Sequence, residues 1–129
     1  LDTNVIVRYL VRDGDLLPLQ ARSIIESQAN LFVTEGVIAE AAYVLVTRYT
    51  IAREAVIDAL IGLMRRDNVQ PYQLDKRRVI QALELCRPSG RVGINDALLW
   101  AVARSSDSPV VYSFDKRFPE FGVEVRDTI

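Results

Sequence analysis

The chain has 129 residues, 50% hydrophobic and 26% charged, with a formal net charge of −1. That length and balance describe one soluble globular domain with a sizeable core, and exclude a disordered or a membrane-spanning chain. The absence of histidine removes Ser-His-Asp and Cys-His triads, histidine-bound zinc and imidazole cleavage of RNA through a 2′-hydroxyl, and the near-neutral charge leaves room only for a local basic rim.

In chain order, Leu1 reads as the end of a strand. A first helix is predicted over residues 4–12 and, after the Arg12-Asp13-Gly14-Asp15 turn, a second over 17–28. Residues 31–33 form a short strand, and Thr34 is an N-cap for a helix to about residue 48. Helices follow over 52–66 and 75–86, with a short strand at 69–72 between them and a stop at Pro88-Ser89-Gly90. A helix over 94–105, a buried strand over 110–113 and a last strand over 123–125 complete the chain. Alternation of this kind predicts an α/β fold, a three-layer α/β/α sandwich around a mainly parallel central sheet, in one domain over 1–129. Because the chain opens on Leu1, its first strand has almost no residues of its own, and the expectation is that a few N-terminal residues are missing.

No apolar run reaches transmembrane length, and no signal peptide is visible, so the default location is cytoplasmic, with no membrane contact. Cys86 is the single cysteine; it cannot close an intramolecular disulfide and reads as a core residue.

Four acids stand where apolar segments should carry none. Asp2 sits at the mouth of Val5-Ile6-Val7. Glu40 interrupts Val37-Ile38-Ala39 and Ala41-Ala42-Tyr43-Val44, Asp96 opens Ala97-Leu98-Leu99-Trp100, and Asp115 follows Val110-Val111-Tyr112-Ser113-Phe114. Carboxylates beside apolar runs are costly unless paired or bound to cations. Hard divalent cations prefer oxygen ligands, so the four together suggest one site for Mg²⁺ or Mn²⁺, as one or two ions. Asp2 and Asp115 both follow predicted strands, where ligands bind in open α/β sheets. Each acid also has an ordinary structural reading. Asp2 or Asn4 could cap the first helix, Asp96 could complement a helix dipole, Asp115 could cap the turn at Lys116-Arg117-Phe118, and Glu40 could reach Arg48 or solvent.

The segments Leu1-Asp2-Thr3-Asn4-Val5-Ile6-Val7-Arg8-Tyr9-Leu10, Val37-Ile38-Ala39-Glu40, Asn95-Asp96-Ala97-Leu98-Leu99 and Ser113-Phe114-Asp115-Lys116-Arg117-Phe118 resemble, in order, the motifs of the PIN-domain family. Within it the chain is most similar to the VapC-type toxins of bacterial and archaeal toxin–antitoxin pairs. The resemblance implies a Mg²⁺- or Mn²⁺-dependent endoribonuclease with metal ligands at Asp2, Glu40, Asp96 and Asp115. It also implies supporting hydrogen bonds from Asn4 and the Ser113 hydroxyl, a small antitoxin protein as partner, and a homodimer. The apolar residues over 37–46 and 52–63, more than one helix face needs, point to the same dimer. Many relatives carry a further acid where this chain has Gly93, and some carry one at the Arg117 position, which puts a second metal in doubt more than the first.

An RNA substrate needs cations near the acids. Arg8 and Arg12 on the first helix, with Arg91, Lys116 and Arg117 beside the later motifs, are the candidates. Arg65-Arg66 and Lys76-Arg77-Arg78 read as solvated helix ends. Two rivals stand beside the nuclease. A haloacid-dehalogenase-like phosphatase would want an aspartate where this chain has Asn4, and a catalytically inactive PIN-like binding scaffold would have no need of all four acids.

Overall fold

The buried positions of the first helix, α1 (Thr3–Val11), are Thr3, Ile6, Val7 and Tyr9, a helical stripe that turns one face inward. The computed structural model describes residues 1–11, 16–88 and 90–129, which form two compact units, Leu1–Tyr72 and Gln73–Ile129. The Arg12 candidate, the predicted 12–15 turn and Ser89 lie outside the described residues.

In the first unit α1 packs against α2 (Leu16–Ile25) and α3 (Glu35–Thr47), and α3 against α4 (Arg53–Met64). The strands β1 (Leu31–Val33) and β2 (Val69–Pro71) pair in parallel, Phe32 opposite Gln70, with α3 and α4 in the connection that parallel pairing requires. Thr34 caps α3 as the sequence indicates, its hydroxyl accepting from the Val37 N–H at 3.3 Å. Six apolar residues of α4, Val56, Ile57, Leu60, Ile61, Leu63 and Met64, are buried, so most of the apolar excess read along this helix is covered by the chain itself.

Helix α2 stops three residues before the predicted end. The cause lies far along the chain: the Asn68 amide donates to the carbonyls of Ile25, Ser27 and Ala29 at 2.9, 3.0 and 3.3 Å. Those carbonyls belong to the helix end and the turn after it, and a side-chain donor satisfies them there without a further helical turn. Leu1 is not in a strand; its amine donates to the Phe32 carbonyl at 2.6 Å, tying the segment before α1 to β1.

In the second unit α5 (Lys76–Cys86) packs against α6 (Ile94–Arg104), and β3 (Val110–Tyr112) pairs in parallel with β4 (Glu124–Arg126). Asp75 caps α5 by accepting from the Arg77 N–H at 2.9 Å. Cys86 is buried, its Sγ against the Leu83 carbonyl at 3.3 Å, in keeping with a core role. Trp100 is buried too, its indole N–H donating to the Phe121 carbonyl at 3.0 Å. The strand expected to be buried over 110–113 is buried only at Val111. Alternate strand residues face opposite ways, which leaves Tyr112 exposed, while Ser113 falls outside the ladder. The last strand begins one residue later than predicted. The chain is of the α/β class with parallel strand pairing, and no helix among the described residues is long and apolar enough to cross a membrane.

Candidate functional site

Two of the four acids belong to the first unit. Asp2 is exposed at the start of α1, and its backbone carbonyl accepts from the Val5 and Ile6 N–H groups at 3.1 and 3.4 Å. Within the unit, among the described residues, its carboxylate makes no hydrogen bond, so it does not cap α1. Glu40 projects from α3 and takes neither Arg48 nor solvent alone: the buried Thr3 hydroxyl donates to its Oε2 at 2.7 Å. Thr3 thus links the start of α1 to α3 and fixes one oxygen of Glu40. Sequence reasoning passed over Thr3; the available signal was a hydroxyl residue on the buried stripe of a helix, next to a candidate ligand.

The other two acids belong to the second unit. Asp96 lies half-buried in the first turn of α6, where a helix N-terminus favours negative charge. The N-cap residue is Gly93, which offers no side chain, and a Cβ built there would lie 3.9 Å from Asp96 Oδ2. An acid at position 93 would therefore adjoin Asp96; this chain has none.

Asp115 follows β3. Its backbone N–H donates to the Ser113 hydroxyl at 3.1 Å, so Ser113 supports this residue through its backbone and not through its carboxylate. Its Oδ1 accepts from the Arg117 backbone N–H at 2.9 Å and from Arg117 Nε at 3.1 Å, and its Oδ2 from Arg117 Nη2 at 3.3 Å. The capping role read for Asp115 is thus present, with a charged fork added to it. The Arg117 side chain, and after it the Arg117 backbone N–H, hold the Asp115 carboxyl below its ordinary range. Arg117 is raised in return, chiefly by Asp115 and to a lesser extent by Asp96.

The candidate cations divide in the same way. Arg8 and Asn4 line a largely apolar cavity of about 320 Å³ with Val5, Gln20, Ala21 and Ile24. Among the described residues of its unit Asn4 makes no side-chain hydrogen bond. Arg91, Lys116 and Arg117 line one cavity of about 460 Å³ together with Val92, Phe118 and Phe121. Lys116 also donates to Asp127 at 2.9 Å.

Each unit therefore presents two carboxylates whose hard oxygen donors suit Mg²⁺ or Mn²⁺. Among the described residues of either unit, no three acidic or thiol side chains gather into a metal-holding group. The donor chemistry fits a divalent cation, and the first unit adds a fixed geometry at Glu40.

The sequence profile of the PIN domain matches residues 1–124. No curated protein and no solved structure matches the chain.

Proposed function

The chain belongs to the PIN-domain family, whose members are generally metal-dependent nucleases, and from that premise we propose that it is a Mg²⁺- or Mn²⁺-dependent endoribonuclease. The family match carries this reading, because it covers residues 1–124 and with them all four acids. Asp2, Asp96 and Asp115 would hold the cation, and Glu40, bonded to Thr3, would either complete the set or orient the attacking water. Divalent cations held by such carboxylates supply Lewis-acid stabilisation of the charge that builds on the phosphate and the leaving oxygen, and make water acidic enough to attack near neutral pH. Arg91 and Arg117 stand on the rim to meet phosphate oxygens, and Ser113 keeps the Asp115 backbone in place.

Incubation with RNA and, separately, with a phosphatase substrate, with and without Mn²⁺, tests the reading. Cleavage should need the cation, stop with chelator and leave 5′-phosphate and 3′-hydroxyl ends, since no imidazole is present to drive attack by the 2′-hydroxyl. Recovery of 2′,3′-cyclic phosphate rules the mechanism out. Turnover of the phosphatase substrate alone would favour the dehalogenase-like rival, and no turnover of either the inactive scaffold.

We further propose that the enzyme is cytoplasmic and serves as the toxin of a toxin–antitoxin pair. The cavity lined by Asn4, Arg8 and Ile24, with Leu19 and Ile24 exposed nearby on α2, supports a small protein partner that buries apolar side chains there and offers an arginine to the acids. Expression alone should slow growth and co-expression of the partner should restore it; harmless overexpression of a nuclease proven active, with no small protein recovered from the native host, removes the toxin reading only. The exposed Tyr43 on α3 supports a homodimer through this helix, and light scattering that gives the 14.5 kDa monomer at high concentration would remove it.

A further inference from the structure

The cavity of about 460 Å³ in the second unit combines two chemistries that sequence alone does not join. Its lining includes Arg91, Lys116 and Arg117, with Glu120 the one acid among the described lining residues, a local positive excess in a chain of net charge −1. The same lining includes Val92, Phe118 and Phe121. Phe118 is buried and belongs to the core, but Phe121 is 67% exposed.

That exposure is built in. The Phe121 carbonyl accepts from the Trp100 indole at 3.0 Å, and the next carbonyl, of Gly122, accepts from Arg104 Nη1 at 3.1 Å. Gly122 turns at φ +73°, a conformation glycine adopts without the Cβ penalty. A backbone held at two successive carbonyls has little main-chain freedom left to lose on binding, while the Phe121 side chain stays exposed. An exposed aromatic ring that shares a cavity with guanidinium groups is the arrangement by which proteins hold single-stranded nucleic acid: the base stacks on the ring and the cations track the backbone.

We propose that this cavity is a nucleotide subsite for single-stranded RNA, in which one unpaired base packs on Phe121 and its flanking phosphate meets Arg91 and Arg117. The proposal rests on the reading of the chain as a ribonuclease and states what part of the substrate this surface takes. Arg117 gives the subsite its place, because the same side chain that lines the cavity is bonded to Asp115. The present partners of Lys116 and Arg117 do not bar the role: the Lys116–Asp127 pair is exposed and the Arg117–Asp115 pair is exposed on its arginine side, and pairs open to water contribute little and exchange readily. The cavity volume lies within the roughly 300–1,000 Å³ typical of sites for small ligands.

The test is equilibrium binding of a fluorescein-labelled RNA hexamer to the full chain, read by anisotropy across a salt series with chelator present, so that cleavage does not enter. Phe121→Ala should weaken binding about 5- to 100-fold, as loss of one stacked base does, with an unchanged salt dependence. Phe121→Leu, which keeps the apolar bulk, should weaken it in the same direction. Arg91→Gln should weaken binding and reduce the slope of log affinity against log salt by about 0.7. A hexamer lacking bases should bind the wild type and Phe121→Ala alike. The proposal is overturned if both Phe121 variants bind the hexamer as the wild type does, or if duplex RNA binds as tightly as single strands and with the same dependence on Phe121. Absence of cation-dependent cleavage alongside Phe121-dependent binding would strike the nuclease reading and leave the subsite standing.

Discussion

Thr3→Val isolates the hydrogen bond that orders Glu40. Valine keeps the branched shape at a position only 6% exposed and removes the donor that lies 2.7 Å from Glu40 Oε2. A bond from a neutral donor to a carboxylate contributes about 1.5–3 kcal/mol when both groups are desolvated. Glu40 is exposed, so water replaces part of what is lost and the cost falls to about 1 kcal/mol. Exchange of a buried hydroxyl for a methyl returns about 0.8 kcal/mol. Global stability of the single variant should therefore change by less than about 1 kcal/mol, although the interaction has been removed.

The double-mutant cycle with Glu40→Ala exposes what the single variant hides. Glu40→Ala leaves the buried Thr3 hydroxyl without its acceptor, and the double variant relieves that penalty, so urea denaturation should report a coupling of about 1–2 kcal/mol. Glu40 freed from Thr3 also has more conformers to lose on binding, and Mn²⁺ affinity of Thr3→Val should fall about fivefold, the equivalent of about 1 kcal/mol. Additivity within about 0.3 kcal/mol, with wild-type Mn²⁺ affinity in Thr3→Val, would refute the assignment of Thr3 as the residue that positions Glu40.

Asp96→Asn should keep the fold, since asparagine retains the size and an oxygen at the first turn of α6, and should abolish Mn²⁺ binding and turnover; near-normal calorimetric binding of Mn²⁺ would remove Asp96 from the ligand set. Gly122→Ala should cost about 1–2 kcal/mol in urea denaturation, because a Cβ at φ +73° is strained and would meet the Arg104 guanidinium at 2.5 Å; an unchanged midpoint would show that both strain and clash relax freely. Glu124 is held below its ordinary value by the Arg126 side chain, and Asp127 by Lys116. Their contribution is therefore present above the ordinary carboxylate range near pH 4 and is lost as pH falls through the lowered folded values. The loss of stability on acidification should flatten in Glu124→Gln and Asp127→Asn, as read from urea midpoints at neutral and acid pH.

Local chemistry was legible where its cause lies within a few residues. Thr34 announces the start of α3 as a side-chain acceptor just before a helical stripe, and it makes the bond expected of it; Asp75, read as the first residue of its helix, is instead the cap of α5. The end of α2 was not legible, because the donor that terminates it, Asn68, is 43 residues from Ile25. The Thr3–Glu40 bond spans 37 residues and was hidden for the same reason, although both partners are conspicuous in the sequence. At Asp115 the cap is a local signal, but the Arg117 fork closing on the same carboxylate depends on side-chain rotamers that no spacing fixes. The convergence of Arg91 with Lys116 and Arg117 on one cavity needed the fold, since a helix, a strand and the turns between them separate the first two.

The Arg117 fork bears directly on metal binding at Asp115. Both carboxylate oxygens accept from the guanidinium, so a divalent cation at Asp115 meets a resident positive group. Resident charge opposes cation uptake in two ways, by simple repulsion and by occupying the donor atoms, and the two predict different behaviour from a lysine. Arg117→Gln should tighten Mn²⁺ binding about two- to fivefold, the range set by a weak exposed pair; its partners are 61% and 33% exposed. Arg117→Lys keeps the charge but cannot reproduce the planar two-point contact. If occupancy of the oxygens is what matters, Arg117→Lys should tighten Mn²⁺ binding as well; if repulsion dominates, it should resemble the wild type. Calorimetry with Asp115→Asn alongside separates the cases. Loss of affinity there with unaltered affinity in Arg117→Gln would show that Asp115 binds the cation without competition from its neighbour, and the fork would then be a structural cap alone.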